Sequence, residues 1–385
     1  MKITHGITIR SFISVLTLSA SLSFAFPASA EFHSYIINLN SKKVTELGTI
    51  NGLRTSIATA INDAGQVVGF SYTSGPDAHA FITGPNGAGM TDLGTFGANN
   101  SEAFDINASG QVVGVYGSSA FITGPNGVGI TDLGTLGGSI SWATGINDAG
   151  QVTGYSATGR GGYHAFITGP NGAGMTDLGT LGGVDSIPED INAAGQVVGS
   201  SYTSAGGGRE RHAFVTGPNG AGMTDLGTLG GGSSSASGIN DAGQVAATSF
   251  RTETGAAADH AFIIGPDGVK TDLGTLDRTY SNAFGINNAG QVVGTNGHAF
   301  ITGPNGLGMA DLNSLVKLPD GVILVEARGI NNAGQVVAVG ITNVTSTVPE
   351  PSSYALMLAG LALVGFMARG KKHVGCNQAN DRNVP

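Results

Sequence analysis

The chain has 385 residues, of which 65 are Gly, one is Cys and only 11% are charged, and its formal net charge is -9. There is no Gly-x-y period, which excludes collagen. The 40% hydrophobic content excludes general disorder. Between Glu31 and Thr347 acids outnumber bases 24 to 11, a balance that repels phosphate backbones and sets nucleic acid aside as a partner.

Residues 1–30 read as a secretory signal peptide with a helical apolar core. Lys2 and Arg10 make a basic start, Phe12 to Phe26 is mostly apolar, and Ala28-Ser29-Ala30 is a small-x-small cleavage site that leaves Glu31 as the mature N-terminus.

Residues 31–345 are built from one self-similar unit of about 45 residues, the first thing to settle in a repetitive chain. The motif Ile-Asn-x-x-Gly-Gln occurs seven times, beginning at Ile61, Ile106, Ile146, Ile191, Ile239, Ile286 and Ile330. A His-Ala-Phe block recurs at His79, His164, His212, His260 and His298, with the variants His33-Ser34-Tyr35 and Ser119-Ala120-Phe121. Each unit parses into four short strands. In one copy these are His164 to Thr168, Met175 to Gly179, a stretch ending at Ile191, and Gln196 to Ser200. Gly169-Pro170-Asn171-Gly172 and Asn192-Ala193-Ala194-Gly195 are turns between them, and Gly182-Gly183 is a break. No stretch carries a sustained helical period. Four strands repeated seven times predict an all-β, seven-bladed β-propeller; the alternative is a β-solenoid, whose coils are usually shorter and need caps. The body opens on a half-unit and closes on the complementary half. Phased from His-Ala-Phe, each blade is continuous; phased from the Ile-Asn strand, both halves build one shared blade and lock the ring, and the second is the expected arrangement because it removes open edges.

The C-terminal part has three pieces. A linker, 346–353, holds Pro349-Glu350-Pro351; an apolar run, 354–368, predicts a transmembrane helix about 15 residues long, short of the roughly 20 a full span prefers; and 369–385 is a basic and polar tail on the cytoplasmic side. This tripartite tail resembles the PEP-CTERM sorting signal of Gram-negative bacteria, although the polar stretch His373 to Pro385 runs on further than such signals usually do. The resemblance implies processing by an exosortase-type enzyme near the motif and sorting to the cell surface or extracellular matrix, with a membrane attachment that is transient or permanent. The His-Ala-Phe units resemble the HAF repeats of bacterial extracellular proteins, a family that implies location and repetition and no activity.

No catalytic, metal or cofactor set emerges from the motifs. Six of the eight histidines open the His-Ala-Phe block, one per unit, too far apart for a shared metal. An acid recurs in the Thr-Asp-Leu-Gly block at Glu46, Asp92, Asp132, Asp177, Asp225, Asp272 and Asp311, and a structural contact between His164 and Asp177 is expected in most units. Asp105 to Gly110 and Asp190 to Gly195 resemble calcium loops only faintly, and an Asx-type turn is the better reading. The Gly-rich Gly-Thr-Leu-Gly-Gly strings lack the Lys and the helix of a phosphate cradle. Trp142 is read as core. What breaks the repeat is three long linkers, 157–163, 203–211 and 251–259, which carry Arg160, Arg209, Glu210, Arg211, Arg251 and Glu253 and should emerge on one face as ligand loops. The expected protein is non-enzymatic, a binding or matrix module at the envelope whose partner is an extracellular polysaccharide or a surface protein. The alternative is a secreted propeller enzyme acting on polysaccharide or peptide. Carboxylates from non-equivalent positions at one mouth of the channel would favour the enzyme, and a repeat-symmetric channel the module.

Overall fold

Seven four-stranded antiparallel sheets follow one another around an axis in the computed structural model, which describes residues 32–50, 55–72, 77–204, 208, 210–251, 258–276 and 278–342. The signal helix at 1–30 and the C-terminal linker, transmembrane helix and tail at 346–385 lie outside the described residues. The fold is a seven-bladed β-propeller, and the solenoid alternative falls. Blades 1 to 6 span residues 56–94, 101–132, 137–179, 182–227, 234–272 and 282–311. Blade 7 joins the two ends of the body. Its inner pair is Val322–Ile330 and Gln335–Thr342, and its outer pair is Phe32–Asn38 and Lys43–Glu46. Seven residue pairs, Phe32 opposite Ile341 through Asn38 opposite Gln335, close the ring as the shared blade predicts.

Each blade is phased from the Ile-Asn strand. In blade 3 the inner strand Gly137–Ile146 pairs with Val152–Thr158, then with Tyr163–Thr168, and Met175–Gly179 is outermost. The Gly pair read as a break instead opens the next inner strand, Gly182–Ile191, with Gly182 at φ 96° making the corner. Two turns shape the lower end of every blade. In Gly169-Pro170-Asn171-Gly172, Asn171 sits in the left-handed region at φ 55°, a conformation Asn tolerates better than most residues. In the Asn147 turn, Gly150 has φ 73°, and an added Cβ would lie 2.8 Å from the Asn171 amide nitrogen, so this place takes only Gly. One feature breaks the all-strand reading: Leu312–Leu315 forms a single helical turn, capped by Asp311, whose side chain accepts from the Asn313 amide.

The core lies between blades. Seven apolar clusters fill seven gaps, one of them between blades 7 and 1, where Ile36, Leu47 and Val337 meet Ala58, Val67 and Phe81. Phe81, Phe121, Phe166, Phe214, Phe262 and Phe300 are fully buried at one repeat position, and Tyr35 takes that place in blade 7. Burial, with Glu46 nearby, pushes the Tyr35 phenol up to about 12. Side chains buried on both sides of a sheet explain the continuous apolar runs in these strands.

Candidate functional site: the channel and its upper mouth

The lower end of the channel is a closed circuit of side-chain hydrogen bonds. The Asn62 amide donates to the Asn107 carbonyl at 3.0 Å, Asn107 to Asn147 at 3.2 Å, Asn147 to Asn192 at 3.1 Å and Asn192 to Asn240 at 3.2 Å. Asn240 continues to Asn287 at 3.1 Å, Asn287 to Asn331 at 3.2 Å, and Asn331 returns to the Asn62 carbonyl at 2.9 Å. Each Asn oxygen also accepts from the Gln amide four residues on, as Asn147 does from Gln151 at 3.0 Å, which is the Asx-type turn expected at this motif. All seven Asn side chains are buried, and a buried polar network holds only when its members are satisfied.

The outer edge is as regular. His164 Nδ1 lies 2.9 Å from the Asp177 carboxylate. Five equivalent pairs follow the same plan: His33 with Glu46, His79 with Asp92, His212 with Asp225, His260 with Asp272 and His298 with Asp311. The carboxylate only accepts, so Nδ1 carries the proton. Where blade 2 has Ser119 for His, the Tyr116 hydroxyl donates to Asp132 at 2.6 Å instead. The Gly-rich strings are structural too: Thr180 Oγ1 donates to the Gly183 carbonyl and accepts from the Gly182 amide.

The channel wall departs from this regularity. A β-bulge recurs at one place in all seven inner strands, and a bulge re-aims its side chain. The bulge residues Thr59, Phe104, Thr144, Glu189, Ser237, Phe284 and Arg328 all line a channel of about 770 Å³. Seven equivalent positions thus carry three hydroxyls, two phenyl rings, one carboxylate and one guanidinium. One residue further on are Asp105 and Asp190. Asp105 accepts from the Ile106 amide at 2.8 Å and from Ile146 of the next blade at 2.9 Å. Asp190 does the same with Ile191 at 2.7 Å and Ile239 at 2.9 Å. These acids pin blade to blade. Burial, then repulsion from Asp190, pushes Asp105 up to about 8 against the pull of its two amide donors. Burial lifts Asp190 to about 6 and Glu189 to about 7, with Arg211 drawing Glu189 back down.

The same cavity opens at the upper mouth over blades 4 and 5. Of the six charged linker residues singled out in the sequence, Arg211 reaches it, with its guanidinium 5.5 Å from the centre of the Tyr202 ring and its buried Nε without a hydrogen-bond partner among the described residues. Arg160 is exposed at its loop tip, and the Glu210 carbonyl accepts from the Thr203 amide. Arg251 ends a strand opposite Ala258, whereas Arg209 and Glu253, like Ala28, Ala30, Pro349, Glu350 and Pro351, lie outside the described residues. Phe250 and Asp259 border the cavity on blade 5. Trp142, read as core, is half-buried in a run of rings, stacked on the channel-lining Phe104 at 5.8 Å and on Tyr155 at 5.9 Å. The bulge residues carry no motif signal because they occupy a variable column of the repeat, two places before each Ile-Asn.

The fold and this channel define a closed, seven-bladed repeat propeller. Residues 347–372 match the PEP-CTERM protein-sorting motif, so the chain is a PEP-CTERM-sorted envelope protein, and that motif implies secretion, exosortase processing and sorting to the cell surface. No curated protein matches the chain in sequence. Among solved structures it is similar to an oligogalacturonate lyase in complex with manganese, at 11% identity and TM-score 0.49 over 73% of this chain and 86% of that one. It is also similar to YCF48 bound to D1 peptide, at 12% identity and TM-score 0.46 over 81% and 98%, and to TolB from Acinetobacter baumannii, at 12% and 0.43 over 62% of each.

Proposed function

We propose that the protein is a non-enzymatic binding module, displayed at the envelope by its sorting signal and associated with extracellular polysaccharide, with its ligand entering the channel from the upper mouth. The kinship of its units with the HAF repeats of extracellular proteins belongs to the same reading. One observation carries it: the repeat is copied faithfully at the lower circuit and the outer edge, and is abandoned at the bulge positions and the linkers beside the mouth. A scaffold needs sameness, and recognition needs a particular set of groups. The test is a glycan array probed with the full chain and with variants whose linkers 157–163, 203–211 and 251–259 are replaced by short Gly-Ser turns. Binding that the linker variants lose is expected; a blank array sinks the reading.

A second reading, a propeller hydrolase, is favoured by a specific feature. Glu189 and Asp105 are non-equivalent carboxyls in one channel, both shifted toward neutrality, as a general acid would be. Against it, both oxygens of Asp105 are engaged by backbone amides. Release of shortened oligosaccharides or peptides on prolonged incubation, lost in Glu189→Gln, would decide for the enzyme.

A further inference from the structure

The mouth and the channel form one cavity, and its groups differ along its length. Over blades 4 and 5 it offers the partly exposed Phe250 and the free face of Tyr202, whose other face carries the Arg211 guanidinium 5.5 Å from the ring centre, with Asp259 also on the wall. On the axis, the three hydroxyls of the bulge ring already donate to backbone carbonyls: Thr59 to Val68 and Ala103, Thr144 to Thr153 and Ser237 to Ala246. Arg328 is held 2.7 Å from Glu326. Glu189, Phe104 and Phe284 remain. Glu189 makes no hydrogen bond among the described residues, although Arg211 is close enough to act on its charge.

We infer that this cavity takes the end of one glycan chain, with the inner sugars over blades 4 and 5 between Tyr202 and Phe250 and the terminal sugar on the axis beside Glu189, Phe104 and Phe284. The inference rests on the binding-module reading and names its ligand and pose. Sugar rings present apolar C–H faces to aromatic rings and hydroxyls to planar carboxylate and guanidinium groups, the two kinds of group found here. A hydrocarbon would leave Glu189 without a partner at a desolvation cost. An extended peptide would need a row of pockets for alternate side chains, and Tyr202 and Phe250 stand apart on different blades. A linear chain that follows the groove inward reaches the axis with its end. The cavity holds the carboxyls of Asp105, Glu189, Asp190 and Asp259 against the guanidinium groups of Arg211 and Arg328. Glu189, a carboxyl on the axis with no hydrogen bond among the described residues, accepts from the hydroxyls or amine of a neutral or aminated terminal sugar and disfavours a uronate beside it.

The test is calorimetric titration of the full chain in detergent with tetramers of glucosamine, glucose and galacturonic acid, and with tetralysine. The glucosamine tetramer should bind at least about tenfold more tightly than the galacturonate, a gap of about 1.4 kcal/mol. Glu189→Gln and Phe284→Ala, each with a folded circular-dichroism spectrum, should weaken it by a similar factor. A bulky tag on one end of the tetramer should abolish binding while the same tag on the other end is tolerated. Equal binding of both tagged forms, or an unchanged Glu189→Gln, overturns the end-on pose and leaves the module reading standing if the array is positive. Tetralysine binding as tightly as the glucosamine tetramer makes this a site for any cation, and failure of all three sugars removes the glycan; either result overturns the inference.

Discussion

The Asn circuit at the lower end of the channel and the bulge ring above it are made by the same seven inner strands and could hardly differ more. At the lower end seven Asn side chains repeat one bond geometry, from 2.9 to 3.2 Å, until the circuit returns to its start. A few residues higher on those strands, the bulge positions hold Thr, Phe, Thr, Glu, Ser, Phe and Arg in turn. The difference separates two demands on a repeat. Joining neighbours asks the same question in each gap and receives the same answer, whereas contact with an asymmetric ligand requires that equivalent positions stop being equivalent. If this division is right, damage to the regular parts should cost stability and spare binding, and damage to the irregular part should do the reverse.

The severest damage is to the closure itself. Deleting residues 32–46 strips blade 7 of its outer pair and takes Tyr35, Ile36 and Ile37, all buried, from the clusters on either side. Losing a large buried side chain costs roughly 2–5 kcal/mol, and the new edge of Gln335–Thr342 would stand open to pairing. The expected outcome is loss of the single cooperative melt together with self-association in sedimentation; a sharp monomeric melt would show that closure is dispensable. Next is Asn147→Ala, which removes the donor to Asn192 and the acceptor for the Gln151 and Ala149 amides. Buried groups left without partners cost about 1–3 kcal/mol each, so denaturant unfolding should shift by roughly 2–4 kcal/mol while ligand binding is unchanged.

Glu189→Gln sharpens the comparison from the other side. The folded-state pKa of Glu189, pushed up to about 7 chiefly by burial, lies above that of an unfolded Glu near 4.3. Between those values the native state binds more protons than the unfolded state, so stability falls as pH rises through this window. Removing the carboxyl should therefore leave the stability unaltered at pH 4 and raise it at pH 8, by up to roughly 3–4 kcal/mol at 1.36 kcal/mol per pKa unit. A variant less stable than the parent at pH 8 would mean that the charge is stabilising where it stands.

The repeat count, the four strands, the turns and the shared blade were legible because each rests on a local, copied signal: Pro-Asn-Gly needs a left-handed Asn, and Ile-Asn-x-x-Gly-Gln needs an Asx turn. The His–Asp contact was legible for the same reason, and even its exception could be read, since Ser119 marks the blade where Tyr116 takes over. The channel wall was not. Which variable column of the repeat faces the axis depends on a bulge, and the bulge follows from blade packing, not from any residue in the column. Asp105 and Asp190 illustrate the loss: in sequence they open weak calcium-loop matches, and in three dimensions their carboxylates hold the amides of Ile146 and Ile239 in the following blades.

The smallest expected effect concerns the outer edge, where sameness is cheap to lose. Asp177 accepts from the Gly179 amide at 2.7 Å and faces His164 Nδ1 at 2.9 Å. Asp177→Asn keeps a carbonyl oxygen for Gly179 and gives up only the ionic character of the contact with a half-exposed His. Pairs so open to solvent contribute about 0–1 kcal/mol, so the melting temperature should fall slightly and binding should not change. Tyr116→Phe in blade 2 should match it, because the hydroxyl there does the work of the absent imidazole. An unchanged melt for Asp177→Asn would show that the six outer pairs are consequences of the repeat and not part of what holds it. A large loss would mean that the edge shares the load with the Asn circuit, and that stability is spread over both ends of each blade.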